Sequence, residues 1–229
     1  LAQRLDLPQA QIDWESRPAW RPGCGSKHLY PEIYDKLRAS AAGSEMLARR
    51  IEIAPADDVI EFMFDQGFSD GLPLVPPTPE RVLRMLEGTH RSGQDLIATV
   101  PPNMGEATVE KIAINAVMAG CRPEYFPVVV AAVRAHLHEK ANCHSTTGTL
   151  SGAVQTVVVN GPIRSQIGIE GGAGCMGPGF RATATIGRAL RLVIRNVCRA
   201  VPGILDRASF SSPHRFSFCF GENEEASAW

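Results

Sequence analysis

The chain has 229 residues, of which 44% are hydrophobic and 21% are charged, as expected of a globular domain with a core of its own. Its formal net charge of −1 excludes a strong electrostatic attraction to nucleic acid or to an anionic membrane surface. The longest apolar run, FPVVVAAV at residues 126–133, is too short to cross a bilayer, so we expect no nucleic acid and no membrane among its partners.

Two segments of different composition predict the domain organisation. Residues 1–30 alternate proline, glycine and tryptophan with polar residues, which is typical of an extended arm that packs on a neighbouring chain. Residues 31–229 are predicted to form a single α/β domain. Because the chain starts at Leu1 and stops at Trp229 just after an acidic run, we expect a piece of a longer or processed chain.

Hydrophobic periodicity, capping residues and turn residues predict helices that separate single strands. The predicted elements are, in chain order, helices at 31–50, 56–66 and 79–87, a strand at 95–100, helices at 105–120 and 123–140, a strand at 153–163, a helix at 181–199 and a strand at 214–223. This order predicts an α/β fold with a mixed sheet, helices packed against it and an irregular N-terminal arm.

The six cysteines are widely spaced, and none belongs to a C-x-x-C pair. They are Cys24, Cys121, Cys143, Cys175, Cys198 and Cys219. In a chain of this size without a leader pattern, this spacing favours reduced thiols in a cytoplasm over disulfides or a zinc finger.

The segment GGAGCMGPGFR places Cys175 in a run of glycines just before a helix. Gly172, Gly174 and Gly177 let the backbone turn its N–H groups inward, which predicts a nest for a small anion or a developing oxyanion. A thiolate in such a nest would be a nucleophile near neutral pH. The alternative is a tight turn in which Cys175 is a small filler.

The helix predicted at 181–199 has a core stripe on one side and arginines on the other. Arg181, in the first turn beside Cys175, is a candidate to clamp a carboxylate or phosphate of the substrate. For Arg191, Arg195 and Arg199 we expect a solvated face or salt bridges to a neighbouring subunit.

Two polar residues follow predicted strands. Glu222, with Glu224 and Glu225 after it, stands at the end of the last strand and is our candidate for acid–base catalysis. Asn160 ends the strand before it and is a candidate to orient a ligand. The alternatives are an exposed acidic tail and an ordinary Asn-Gly turn.

The segment HEKANCHSTTGT combines histidine, cysteine and hydroxyl side chains at short spacing. We interpret it as a polar loop that lines the pocket, with His144 as acid or base and Thr146 orienting the substrate. Because imidazole, thiolate and carboxylate are all ligands of transition metals, a metal ion at this segment is the alternative cofactor.

Five segments together resemble a bacterial protein family found beside, or fused to, the UGSC (selenocysteine/cysteine) thiol proteins. They are DGLPLVPPTPERV, ATVEKIAINAVMAGCRPEYFPVV, VVVNGPI, GAGCMGPGFRATATIGRALRL and FSFCFGENEE, within residues 55–229. The resemblance implies a fold and thiol chemistry. As partners we expect a small anionic molecule and a homo- or hetero-oligomer with a thiol protein. CGSK at residues 24–27 is similar to the U/C-G-S-C motif, with Lys27 in place of the second thiol.

Cys24 is accordingly a candidate second thiol, carried by the arm into another chain's site; Lys27 and His28 beside it would stabilise a thiolate. The alternative is a turn in a tail. Three functions remain open at this point: a thiol-dependent enzyme acting on a small anion, a metal-dependent lyase or hydrolase with Glu, His and Cys ligands, and a non-catalytic subunit docking on a thiol protein. We favour the first.

Overall fold

The computed structural model describes residues 46–54, 57–100 and 103–227. The arm predicted at 1–30, Cys24 within it, and most of the first predicted helix lie outside these residues. Residues 46–50, the end of that predicted helix, are described and are not helical.

The described residues contain seven α-helices and four strands. They are α1 (Val59–Asp65), α2 (Pro79–Leu86), β1 (Leu96–Val100), β2 (Gly105–Thr108), α3 (Val109–Ala119), α4 (Phe126–His136), α5 (Cys143–Gly148), β3 (Val157–Val159), α6 (Ile163–Ile167), α7 (Arg181–Asn196) and β4 (Cys219–Gly221). The described residues also contain three short 3-10 helices: Pro123–Tyr125, Glu139–Ala141 and Pro213–Arg215.

The strands form two small sheets, one antiparallel (β1 with β2) and one parallel (β3 with β4), so the fold is a mixed α/β fold as predicted. Both strands of the parallel sheet are shorter than expected. Val157–Val159 pairs with Cys219–Gly221 alone, because the turn at Gly161, with φ of +81°, ends β3 and α6 starts at once.

The helix predicted at 105–120 starts four residues late. Gly105–Thr108 pairs with β1 instead, and α3 begins at Val109, where the Thr108 side chain accepts a hydrogen bond from the Lys111 N–H at 3.3 Å. A Cβ at Gly105 would lie 2.5 Å from the Val197 carbonyl oxygen, so this strand passes too close to α7's end for any side chain.

The core lies between α3 and α7, which pack along each other with α4 beside them. Buried alanines, Ala113 and Ala116 on α3 and Ala189 on α7, let the two helices approach closely. The predicted core stripe of α7 is confirmed, because Ile186 and Val193 are also buried.

Gly187 is where α7 meets the segment that leads into β4. An added Cβ would lie 2.6 Å from Ser217 Oγ and 2.8 Å from the Phe218 nitrogen. We expect Gly187→Ala to lower the free energy of unfolding by about 1–3 kcal/mol in urea denaturation, although alanine is the better helix former. Gly93→Ala is the control, because its Cβ would find an ordinary contact at 3.6 Å from Glu110 Cβ. Equal stability of Gly187→Ala and wild type would show that this contact is loose.

Candidate functional site

Asn160 and Glu222 meet where the parallel strands β3 and β4 end. The Asn160 side-chain amide donates to Glu222 Oε2 at 3.1 Å, and the Glu222 N–H donates to the Val159 carbonyl at 2.8 Å. Ser227 Oγ lies 3.3 Å from Glu222 Oε1. Because parallel strands present their carboxyl ends at one edge, the two predicted residues come together, with Glu222 half-buried.

The two acids after Glu222 fold back onto α6. Arg164 Nη2 lies 2.7 Å from Glu225 Oε1 and 3.4 Å from Glu224 Oε2, and the Gly161 N–H also donates to Glu224. The hydrogen bond from Arg164 lowers the pKa of Glu225, and the same bond raises the pKa of Arg164. This acidic run is therefore tied to the strand end by an ion-pair network.

The glycine loop starts against the same strand end. The Gly221 N–H donates to the Glu170 carbonyl at 2.7 Å, and the Glu170 N–H donates to Thr183 Oγ1 on α7 at 3.2 Å. A Cβ at Gly171 would lie 2.6 Å from the Gly221 carbonyl oxygen, so only glycine allows this approach. The loop is thus anchored between β4 and α7.

Of the three glycines predicted to form an anion nest, Gly172 directs its N–H group at a carboxylate, and that carboxylate belongs to the chain itself. Glu170 Oε1 accepts hydrogen bonds from the N–H groups of Gly171 at 3.1 Å and Gly172 at 2.6 Å. Within the loop, the Cys175 N–H donates to the Gly172 carbonyl and the Gly177 N–H to the Gly174 carbonyl. The backbone geometry suits an anion, and Glu170 is the residue that sequence reasoning missed.

Cys175 differs from the other cysteines that the structure describes. Cys121, Cys143, Cys198 and Cys219 are buried, whereas Cys175 is partly exposed, and all five are free. Burial raises the pKa of the Cys121, Cys198 and Cys219 thiols to about 12, and it raises the pKa of Cys143 as well. In the described part of the chain, Cys175 is the thiol accessible to reagents.

Arg181 stands at the first residue of α7, next to the loop. Its Nε donates to the carbonyl of Gly120, the residue after α3, at 3.0 Å, and the side chain is exposed. Its terminal nitrogens make no hydrogen bond with any described residue. A Cβ at Gly174 would lie 3.7 Å from a ring carbon of Phe180, so the loop folds back onto the residue before Arg181.

His144 and Thr146 lie on α5, away from the glycine loop. The Thr146 hydroxyl donates to the carbonyls of its own helix start, and His144 is exposed. Cys143, beside them, acts electrostatically on Cys198, which follows the far end of α7. No hydrogen bond joins His144 or Thr146 to the glycine loop within the described residues, and their grouping with Cys175 stays a prediction.

The metal alternative also lacks a ligand set. Among the described residues, no three histidine, cysteine, aspartate or glutamate side chains come together in a way that could hold a metal ion. Glu222 and Glu224 lie at the strand end, whereas Cys143 and His144 belong to α5.

The expected solvated arginine face is wrong for Arg191 and Arg195. Arg195 donates to the Gly67 carbonyl at 3.1 Å, and Arg191 is largely buried against Asp206 and Gln155. One turn before Arg191, Arg188 is held at 2.8 Å by both carboxylate oxygens of Asp70. These arginines bind loops of their own chain to α7.

Asp206 is the centre of a polar cluster that sequence reasoning missed. Arg215 forms a two-pronged ion pair with it, at 3.0 and 2.6 Å, and Arg191 Nη2 lies 3.6 Å away. Burial lowers the pKa of Arg191 to about 10, helped by Arg215. Burial alone would raise the pKa of Asp206, but the hydrogen bonds from Arg215 and Ala208 outweigh it and lower that pKa.

No known protein family, curated protein or solved structure matches the chain. No helix among the described residues is long and apolar enough to cross a membrane. The resemblance to the UGSC-associated family stays a prediction.

Proposed function

We propose that the protein is a thiol-dependent enzyme that acts on a small anionic substrate, with Cys175 as its nucleophile. The observation that carries the proposal is the exposure of this one thiol, among the five described, in a loop whose backbone already binds a carboxylate. A reducing cytoplasm would keep these free cysteines in the thiol form. Docking on a partner thiol protein stays a prediction from the resemblance.

The substrate's anionic group would bind the free terminal nitrogens of Arg181 or displace Glu170 from the N–H groups of Gly171 and Gly172. The Cys175 thiolate then forms a bond to an electrophilic carbon, and the bond from that carbon to its leaving group breaks. The leaving group takes up the proton that the thiol gave to Glu222. Water finally attacks the adduct and restores the thiol.

The first test is native-state alkylation by iodoacetamide with mapping by mass spectrometry. We expect Cys175 to be modified rapidly at pH 7.5, and the four buried cysteines only after unfolding, because alkylation needs an accessible thiolate. Cys175→Ser should keep the circular dichroism spectrum and leave the four buried cysteines unmodified until the protein unfolds. A Cys175 that stays unmodified until the protein unfolds would contradict the proposal.

The anion-binding half of the proposal has its own readout. Iodoacetate carries the charge that the site should attract, whereas iodoacetamide is neutral and of similar size. We expect Arg181→Gln to lower the ratio of the two alkylation rates at Cys175 several-fold. Arg84→Gln, an exposed arginine on α2, removes the same charge and should leave the ratio unchanged. Equal ratios in both variants would remove Arg181 from the site.

A further inference from the structure

A pocket of about 350 Å³ opens in the loop that follows α7. Its lining residues are Pro202, Gly203, Asp206, Arg207, Ala208 and Arg215. Arg191 and Arg181 are ten residues apart on α7, or about 15 Å along its axis, so this pocket is distinct from the loop that carries Cys175.

Positive charge exceeds negative charge around this pocket. Asp206 is 7% exposed and is the one carboxylate in the cluster, with Arg191 and Arg215 both directed at it. Arg207 lines the same pocket, is exposed, and makes no ion pair or side-chain hydrogen bond with a described residue. Three guanidinium groups and one carboxylate leave an excess of two positive charges.

In this cluster, the hydrogen-bonding groups that are still available to a ligand are donors. Asp206 Oδ1 accepts from Arg215 Nη1 and from the Ala208 N–H, at 3.0 and 3.1 Å. Its Oδ2 accepts from Arg215 Nη2 and faces Arg191, so the carboxylate has no oxygen left for a cation. Arg215 Nε, in contrast, is buried and has no acceptor in the part of the chain that the structure describes. A buried donor without a partner is costly, and a ligand oxygen would satisfy it.

We propose that this pocket binds a small molecule through a phosphate group, with Arg207 and Arg215 as its ligands. A phosphate monoester carries a charge of about −1.5 to −2 at pH 7, which matches the excess in the cluster. Guanidinium groups bind its oxygens in two-pronged fashion. A cavity of this size is within the range of small-molecule sites.

The probe for the first experiment is inorganic phosphate, titrated by calorimetry at constant ionic strength. We expect saturable binding by the wild-type chain, and binding about tenfold weaker in Arg207→Gln, because a charge-assisted hydrogen bond is lost. Arg84→Gln is the matched control and should bind as the wild type does. Absence of saturable binding, or equal binding by Arg207→Gln and wild type, would overturn the proposal.

Arg215 is monitored by NMR rather than substituted, because its substitution would also remove the two-pronged ion pair of Asp206. In nitrogen-15 spectra, the Nε–Hε resonance of Arg215 should shift with phosphate and saturate together with the calorimetric signal, while that of Arg84 stays in place. Saturable binding that leaves the Arg215 resonance unmoved would assign the phosphate to another place. Neither readout involves Cys175, so failure here leaves the thiol proposal standing, and the reverse also holds.

Discussion

Asp206→Asn is expected to lower the free energy of unfolding by about 3–5 kcal/mol. The carboxylate lies almost wholly inside the protein and receives Arg215 in a two-pronged pair, with Arg191 at 3.6 Å. Without its charge, two largely buried guanidinium groups face each other with no counter-ion.

Urea denaturation at pH 7 measures this effect, and an unchanged m-value confirms that the same unfolding is compared. Asp65→Asn is the control, because Asp65 is exposed on α1 and should change stability by no more than about 0.5 kcal/mol. Adding Arg215→Gln to Asp206→Asn should restore part of the loss, since one unpaired charge then disappears. A loss below about 1 kcal/mol in Asp206→Asn would mean that water already screens the cluster.

Sequence reasoning predicted most of the helices and the strand ends at which Asn160 and Glu222 lie, but not that these two strands pair. Apolar spacing identified the buried side of α7. It missed β2, because the helical pattern of α3 runs on into Gly105–Thr108 without a break. Two long-range contacts, the pairing with β1 and the close approach to Val197, make this segment a strand rather than a helix.

The site was harder to predict, because periodicity says which residues share a helix face and not what covers it. The sequence predicts a solvated face at Arg191 and Arg195, yet Asp206 pairs with Arg191, and the carbonyl of Gly67, 128 residues before Arg195, accepts from Arg195. Glu170 could have been found from the sequence, because it places a carboxylate two residues before Gly172, within reach of the N–H groups of the loop.

The same arginine-rich cluster gives the chain a pH-dependent stability through His136, the last residue of α4. Burial, together with the nearby charge of Arg191, lowers the pKa of His136 from 6.5 to about 4. Its Nε2 is buried without a partner among the described residues. Below pH 6.5 the unfolded chain therefore binds a proton that the folded chain refuses until about pH 4.

As the pH falls from 6.5 to about 4, proton binding by His136 in the unfolded chain should lower the free energy of unfolding by about 3 kcal/mol, or about 1.4 kcal/mol per pH unit. Urea denaturation of wild type and His136→Leu between pH 7 and 4.5 isolates the effect, because carboxylates that titrate elsewhere act equally on both. We expect the stability of the wild type relative to His136→Leu to decrease steadily with falling pH. His90→Gln, an exposed histidine, should follow the wild type. Parallel curves for wild type and His136→Leu would mean that His136 accepts its proton in the folded chain, and that Arg191 is neutralised by more than Asp206.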